Sequence, residues 1–135
     1  MSSRKTRILI VDDEESLTRM MALTLEQTGA YETRHVNHAD QTLAAAHEFE
    51  PDVVVLDVIM PEMDGGEVLA QLRADPLTRD MPVIFMTALV DSEEAPLGGL
   101  VSAGHHFLPK PISCAELARC IESVQCERSM AATPD

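Results

Sequence analysis

Asp52–Val58 reads DVVVLDV. Its apolar residues run unbroken from Val53 to Leu56, so neither face of the segment is built for water. A strand that is apolar on both faces belongs in the middle of a parallel sheet, covered by helices above and below. The run stops on Asp57, which sets a carboxylate at the end of the most buried strand.

Outward from this strand, apolar runs alternate with amphipathic ones. Arg7–Val11 is a short β-branched run and predicts a buried strand. Glu15–Thr28 predicts a helix, with Leu17, Met20, Met21 and Leu25 at helical spacing and Gly29 as its stop. Thr33–Val36 is a weak strand. Ala39–Phe49 is Ala-rich and helical, with Leu43 and Ala46 inward, and Pro51 ends it. Beyond the central strand, Gly66–Ala74 predicts a short helix with Val68, Leu69 and Leu72 inward, stopped near Pro76. Val83–Ala88 is a second buried strand. Asp91–Ala103 is a poorer helix: Asp91 and Glu94 could form a capping box, but Pro96 and the Gly98-Gly99 pair weaken its later turns. His105–Leu108 is a short strand. Ser113–Cys126 is a clear helix, with a Ser113–Glu116 capping box and a Leu117, Ile121, Val124 stripe. Strand then helix recurs throughout, which predicts an α/β fold: a doubly wound, five-stranded parallel sheet with helices on both faces.

The chain has 135 residues, 45% of them apolar, which suits one globular domain. Residues 1–126 are expected to form it, with 127–135 as a frayed polar tail. There is no Trp and one Tyr, so the core rests on Val, Ile, Leu, Met and Ala, with the Met residues as filler. Asp and Glu number 23 against 10 Lys and Arg, a net charge of −13. That balance argues against direct nucleic-acid binding and against anionic membrane surfaces. It favours basic partners or bound cations.

Cys114, Cys120 and Cys126 crowd one C-terminal segment and cannot staple distant parts of the chain, so a reducing cytoplasm is expected. They are spaced six apart, roughly 240° around a helix, which argues against a shared metal site. Cys114 falls in a first helical turn, where a thiol can be acidified. The apolar run at Ile8–Val11 is too short for a signal peptide. No stretch approaches the roughly 20 apolar residues that span a bilayer.

In doubly wound sheets, function collects at the carboxyl ends of the strands. Asp12 and Asp13 follow the first strand, Asp57 ends the third, Thr87 ends the fourth, and Lys110 follows the fifth between Pro109 and Pro111. Neighbouring carboxylates repel one another unless a cation sits among them. A hard divalent ion such as Mg²⁺ suits an all-oxygen site. A fixed carboxylate at Asp57 could attack a phosphoryl group. Lys110 and the cation would neutralise the phosphoryl oxygens, and the Thr87 hydroxyl could donate to one of them.

These residues carry a resemblance to the receiver domains of bacterial two-component response regulators, including the chemotaxis regulators. It runs from about Arg7 to Val124. The matching blocks are ILIVDDEES, PDVVVLDVIMPEMDG (with Asp57, Met60, Pro61, Asp64 and Gly65), VIFMTA and FLPKP. The resemblance implies a flavodoxin-like (βα)5 fold with strand order 2-1-3-4-5. It implies Asp57 as phosphoacceptor, and Asp13, Asp57 and the Ile59 carbonyl as Mg²⁺ ligands, with Asp12 acting mostly through water. Lys110 matches the lysine that contacts the phosphoryl group. Thr87 and Phe107 match a switch pair, and Lys110-Pro111 a peptide bond that is usually cis. The implied partners are a histidine kinase or histidine phosphotransfer protein upstream and an effector protein downstream, with homodimerisation possible. The expected function is therefore a phosphorelay switch with self-catalysed phosphorylation and dephosphorylation only.

Some positions depart from the family pattern. Pro96 and Gly98-Gly99 fall in the helix of the usual output surface. Ile59 and Leu89, two beyond Asp57 and Thr87, tune hydrolysis in the family and are apolar here. Neither can orient a water, which predicts a long-lived phosphoryl state. Glu14 and Glu15 read as first-turn acids favoured by the helix dipole, and Asp64 before Gly65 as a turn residue. His105 and His106 point to opposite faces of a strand and read as structural. Two other functions compete. A phosphohydrolase with an aspartyl-phosphate intermediate needs an acid two residues past its nucleophile, where Ile59 stands. An interaction module that has lost phosphorylation would have no need of the full set of Asp12, Asp13, Asp57, Thr87 and Lys110. With room for one domain, the chain is expected to act on another protein.

Overall fold

The computed structural model describes residues 5–60, 63–87, 106–109 and 113–132. The elements are β1 (Thr6–Val11), α1 (Glu15–Gln27), β2 (Tyr31–Val36), a 3-10 turn (Ala39–Gln41) leading into α2 (Thr42–Phe49), and β3 (Val53–Asp57). They continue with α3 (Gly65–Ala74), β4 (Val83–Thr87), β5 (His106–Pro109) and α4 (Cys114–Ala132). The strands form one sheet in the order β2-β1-β3-β4-β5, and every pair is parallel. This is the doubly wound, flavodoxin-like arrangement that the sequence implies.

All five residues of β3 are buried, as its unbroken apolar run requires. Side chains alternate across the sheet and feed two cores. On one face Leu9, Val11, Val54, Leu56, Val83 and Phe85 pack against Ala46 and Phe49 of α2 and Val68 and Leu72 of α3. On the other, Ile8, Ile10, Val53, Val55, Ile84 and Met86 meet Met21 and Leu25 of α1 and Leu117, Ile121 and Val124 of α4. Truncating a fully buried residue such as Leu56 to Ala is expected to cost about 2–5 kcal/mol.

The helix ends follow local chemistry. Gly29 takes φ +82 and ends α1, as expected. Glu50 takes the left-handed conformation (φ 54) while its N–H donates to the Ala46 carbonyl at 2.9 Å. Pro51 disfavours a helical residue before it, so the chain leaves α2 through Glu50. Ser113 caps α4 in the expected box: Glu116 N donates to Ser113 Oγ at 3.1 Å, and Ser113 N to Glu116 Oε1 at 3.3 Å.

Several expectations need correction. Met20 is exposed, and the buried stripe of α1 is Thr18, Met21, Ala22 and Leu25. Those positions follow the i, i+3, i+4, i+7 rule, and Met20 lies off them. The helix expected from Ala39 opens with a 3-10 turn before α2. β2 starts at Tyr31, whose ring is buried in the second core. α3 starts at Gly65, because Asp64 is its N-cap: Asp64 Oδ1 accepts from Glu67 N at 2.9 Å, and Glu67 Oε1 accepts from Asp64 N at 3.1 Å. β5 covers His106–Pro109. α4 continues past Cys126 to Ala132, through residues with adequate helix propensity, so the tail expected from residue 127 begins as helix. Ala88, the expected helix Asp91–Ala103 and His105 lie outside the described residues. The three cysteines form no disulfide with one another. Among the described residues, no helix is long and apolar enough to cross a membrane.

Candidate functional site

The strand order places the carboxyl ends of β1, β3 and β4 side by side. Asp12 follows β1 directly. Its N–H donates to the Val36 carbonyl at 3.2 Å, which extends the β1–β2 ladder by one step. Its side chain is fully buried, and Oδ1 accepts from the Glu14 N–H at 2.9 Å. Asp13 is exposed at the mouth of the site.

Asp57 is the last residue of β3 and is buried, and its Oδ1 accepts from the Ile59 N–H at 3.3 Å. Asp12, Asp13 and Asp57 each offer a carboxylate oxygen, and these lie within 4.8 Å of one another. Residues from two distant segments thus converge as the sequence implied. This close all-oxygen donor set fits a hard divalent cation such as Mg²⁺.

The loop after Asp57 is anchored on two sides. Val58 N donates to the Met86 carbonyl at 2.9 Å, and Gly65 N donates to the Val58 carbonyl at 2.7 Å. α3 can approach this closely only because position 65 is glycine. A Cβ there would stand 2.9 Å from Val58 Cα, 3.0 Å from the Asp57 carbonyl oxygen and 3.2 Å from Phe85 Cε1.

Thr87 ends β4 and is buried. It sits one step past Met86, the register partner of Asp57, on the adjoining strand. Phe107 is half-buried on β5 opposite Phe85, with the two rings stacked. The Ile59 side chain is 55% exposed. β5 pairs Pro109 with Thr87. Lys110, Pro111 and Leu89 lie outside the described residues.

Among the described residues, two clefts lie elsewhere. One of about 330 Å³ opens at the amino ends of β3 and β4, bordered by His47, Glu50, Asp52 and Asp80. Another of about 220 Å³ runs between α1 and α4, beside Met20, Met21 and Cys114. Neither is lined by the carboxylates of the site.

Sequence reasoning missed Asn37. Its Nδ2 donates to the Asp12 carbonyl at 2.7 Å and to Thr18 Oγ1 at 3.0 Å. The available signal was its position: a polar side chain directly after a strand, at the edge where function collects.

Comparison with known proteins gives one consistent answer. The pattern of the response regulator receiver domain matches residues 8–122. The chain is 36% identical over 117 residues to the DNA-binding response regulator MtrA of Mycobacterium tuberculosis, covering 87% of this chain and 49% of that protein. It is 40% identical over 120 residues to the response regulator PleD of Caulobacter vibrioides, covering 87% and 26%. The chain therefore spans half or less of the length of these relatives. Among solved structures, chemotaxis protein CheY4 of Vibrio cholerae superposes with a TM-score of 0.77 at 29% identity, over 90% of this chain and 99% of that one.

Proposed function

The chain belongs to the response regulator receiver domain family, and on that premise we propose that it is a phosphorelay switch whose phosphoacceptor is Asp57. The observation that carries this reading is the meeting of Asp12, Asp13 and Asp57 carboxylate oxygens within 4.8 Å, at the carboxyl edge of the sheet. Such a concentration of negative charge has a use where a cation and a phosphoryl group enter together.

The residues divide the work. Asp13, Asp57 and the Ile59 carbonyl would hold Mg²⁺, with Asp12 acting through water. When bound, Mg²⁺ supplies positive charge against the phosphoryl oxygens. A carboxylate oxygen of Asp57 attacks phosphorus in line. The new O–P bond forms as the N–P bond of the donor's phosphohistidine breaks, and the donor imidazole leaves. Burial of Asp57 and the backbone bonds at Val58 and Gly65 keep the nucleophile in place for that approach. Lys110 pairs with the phosphoryl oxygens, and the Thr87 hydroxyl donates to one of them.

The upstream partner is a histidine kinase or a histidine phosphotransfer protein in the cytoplasm. Phosphorylation shifts a two-state equilibrium through Thr87 and Phe107 toward an active surface beside β4 and β5, which an effector protein or a second copy of the chain recognises. The charge of −13 sets this chain itself apart from direct DNA contact.

The test uses beryllofluoride as phosphoryl mimic. With no Trp to report by fluorescence, the readout is the amide spectrum of isotope-labelled protein. Mg²⁺ with beryllofluoride is expected to shift the amides around Asp57, and chelation of Mg²⁺ or Asp57→Asn to abolish the shift. A wild-type spectrum indifferent to both would identify an interaction module that does not use phosphorylation.

A further inference from the structure

Asn37 stands directly after β2, level with the start of the β1–α1 loop. A carboxamide nitrogen carries two hydrogens, and Nδ2 uses one on each side of that loop. One goes to the Asp12 carbonyl at 2.7 Å, the other to Thr18 Oγ1 at 3.0 Å. Thr18 is fully buried in α1, and its hydroxyl donates onward to the Glu15 carbonyl at 3.0 Å. The loop that carries Asp12 and Asp13 is thus tied at its entry and at its exit by a single side chain just past the end of the edge strand.

We propose that Asn37, acting through Thr18, is a positioning residue that braces the Asp12–Asp13 loop for cation binding. Left loose, the loop would relieve the repulsion among the three carboxylates by carrying Asp13, the exposed one, away from Asp57. The brace holds the carboxylates together before a cation arrives, so that binding does not have to order them. A neutral carboxamide suits this task. Lysine at the same place would neutralise the pocket and compete with the cation, and aspartate would add a further negative charge and lose the donors. The cation in this inference rests on the phosphoacceptor reading, whereas the brace itself does not.

The test compares wild type with Asn37→Ala and Thr18→Val by two measurements. The first is amide hydrogen exchange at Glu14 in metal-free protein, since that N–H is held by Asp12 Oδ1. The second is Mg²⁺ affinity from amide shifts. Asn37→Ala is expected to speed exchange at Glu14 and to weaken Mg²⁺ binding about tenfold. Thr18→Val, which keeps the buried volume, is expected to act in the same direction more weakly. Unchanged exchange at Glu14 in both variants would overturn the brace. Unchanged Mg²⁺ affinity in a loosened variant would overturn its purpose. A wild type that binds no Mg²⁺ would overturn the cation reading itself, a result distinct from equal binding by wild type and variant.

Discussion

The ring of Phe107 lies stacked on that of Phe85, with centroids 5.2 Å apart and planes 23° apart. The two residues are register partners on adjoining strands. Phe85 also stands against Gly65, whose N–H holds the loop after Asp57. The ring proposed as the switch is thereby in contact with a residue that stands against the loop following Asp57. A double-mutant cycle of Phe85→Leu and Phe107→Leu, measured by urea unfolding, is expected to give a coupling of about 0.5–1.5 kcal/mol. Purely additive losses would show that the rings pack independently.

Gly65→Ala is expected to destabilise the protein by about 1–3 kcal/mol, because the new Cβ meets backbone at Val58 and Asp57. Gly66→Ala is the control. Its Cβ meets no backbone atom, only the capping Asp64 Oδ1 at 3.3 Å, and its loss should be the smaller of the two. Equal melting temperatures for both variants would refute the close-approach argument.

Ile59 is exposed beside Asp57 and has no side-chain atom to orient a water. The phosphorylated protein is therefore expected to lose label slowly, and Ile59→Asn to lose it faster. The check is a time course of label retention in both proteins. Wild-type loss as fast as that of Ile59→Asn would sink the idea.

At the far end of the sheet, Asp75 Oδ1 accepts from the Leu77 N–H at 2.8 Å and Asp75 Oδ2 meets His47 Nε2 at 2.9 Å. The Leu77 hydrogen bond, and after it the His47 contact, hold the Asp75 carboxyl below its ordinary value. A carboxyl depressed in the folded state stabilises the fold above its unfolded value of about 3.9, and that stability is lost as pH falls through the folded value. Wild type should therefore lose more stability than Asp75→Asn between about pH 5 and pH 2.5. Parallel acid-unfolding curves would contradict this.

Much of the fold was legible because its strongest signals are local. The apolar run of β3 states its own burial, Gly29 its turn, and Ser113 with Glu116 its cap. Asp12, Asp13, Asp57 and Thr87 could be placed at one edge because strand ends converge there in any doubly wound sheet. What escaped depends on neighbours distant in sequence. Met20 fits a helical spacing as well as Met21 does, and only the packing of α1 on the sheet decides between them. Asp64 and Glu67 do carry a capping signature, but the intervening glycines read equally well as a turn. Asn37 gains its role only once β2 is known to lie beside β1.

The central claim is that Asp57 is the carboxylate that takes the phosphoryl group. An acyl phosphate is reduced by borohydride to the alcohol, which converts a phosphorylated aspartate to homoserine and marks it permanently. The measurement is peptide mapping by mass spectrometry after acetyl phosphate, Mg²⁺ and borohydride. We predict homoserine at position 57, absent when Mg²⁺ is chelated. Homoserine at Asp12 or Asp13, or at no position in the chain, would contradict the account.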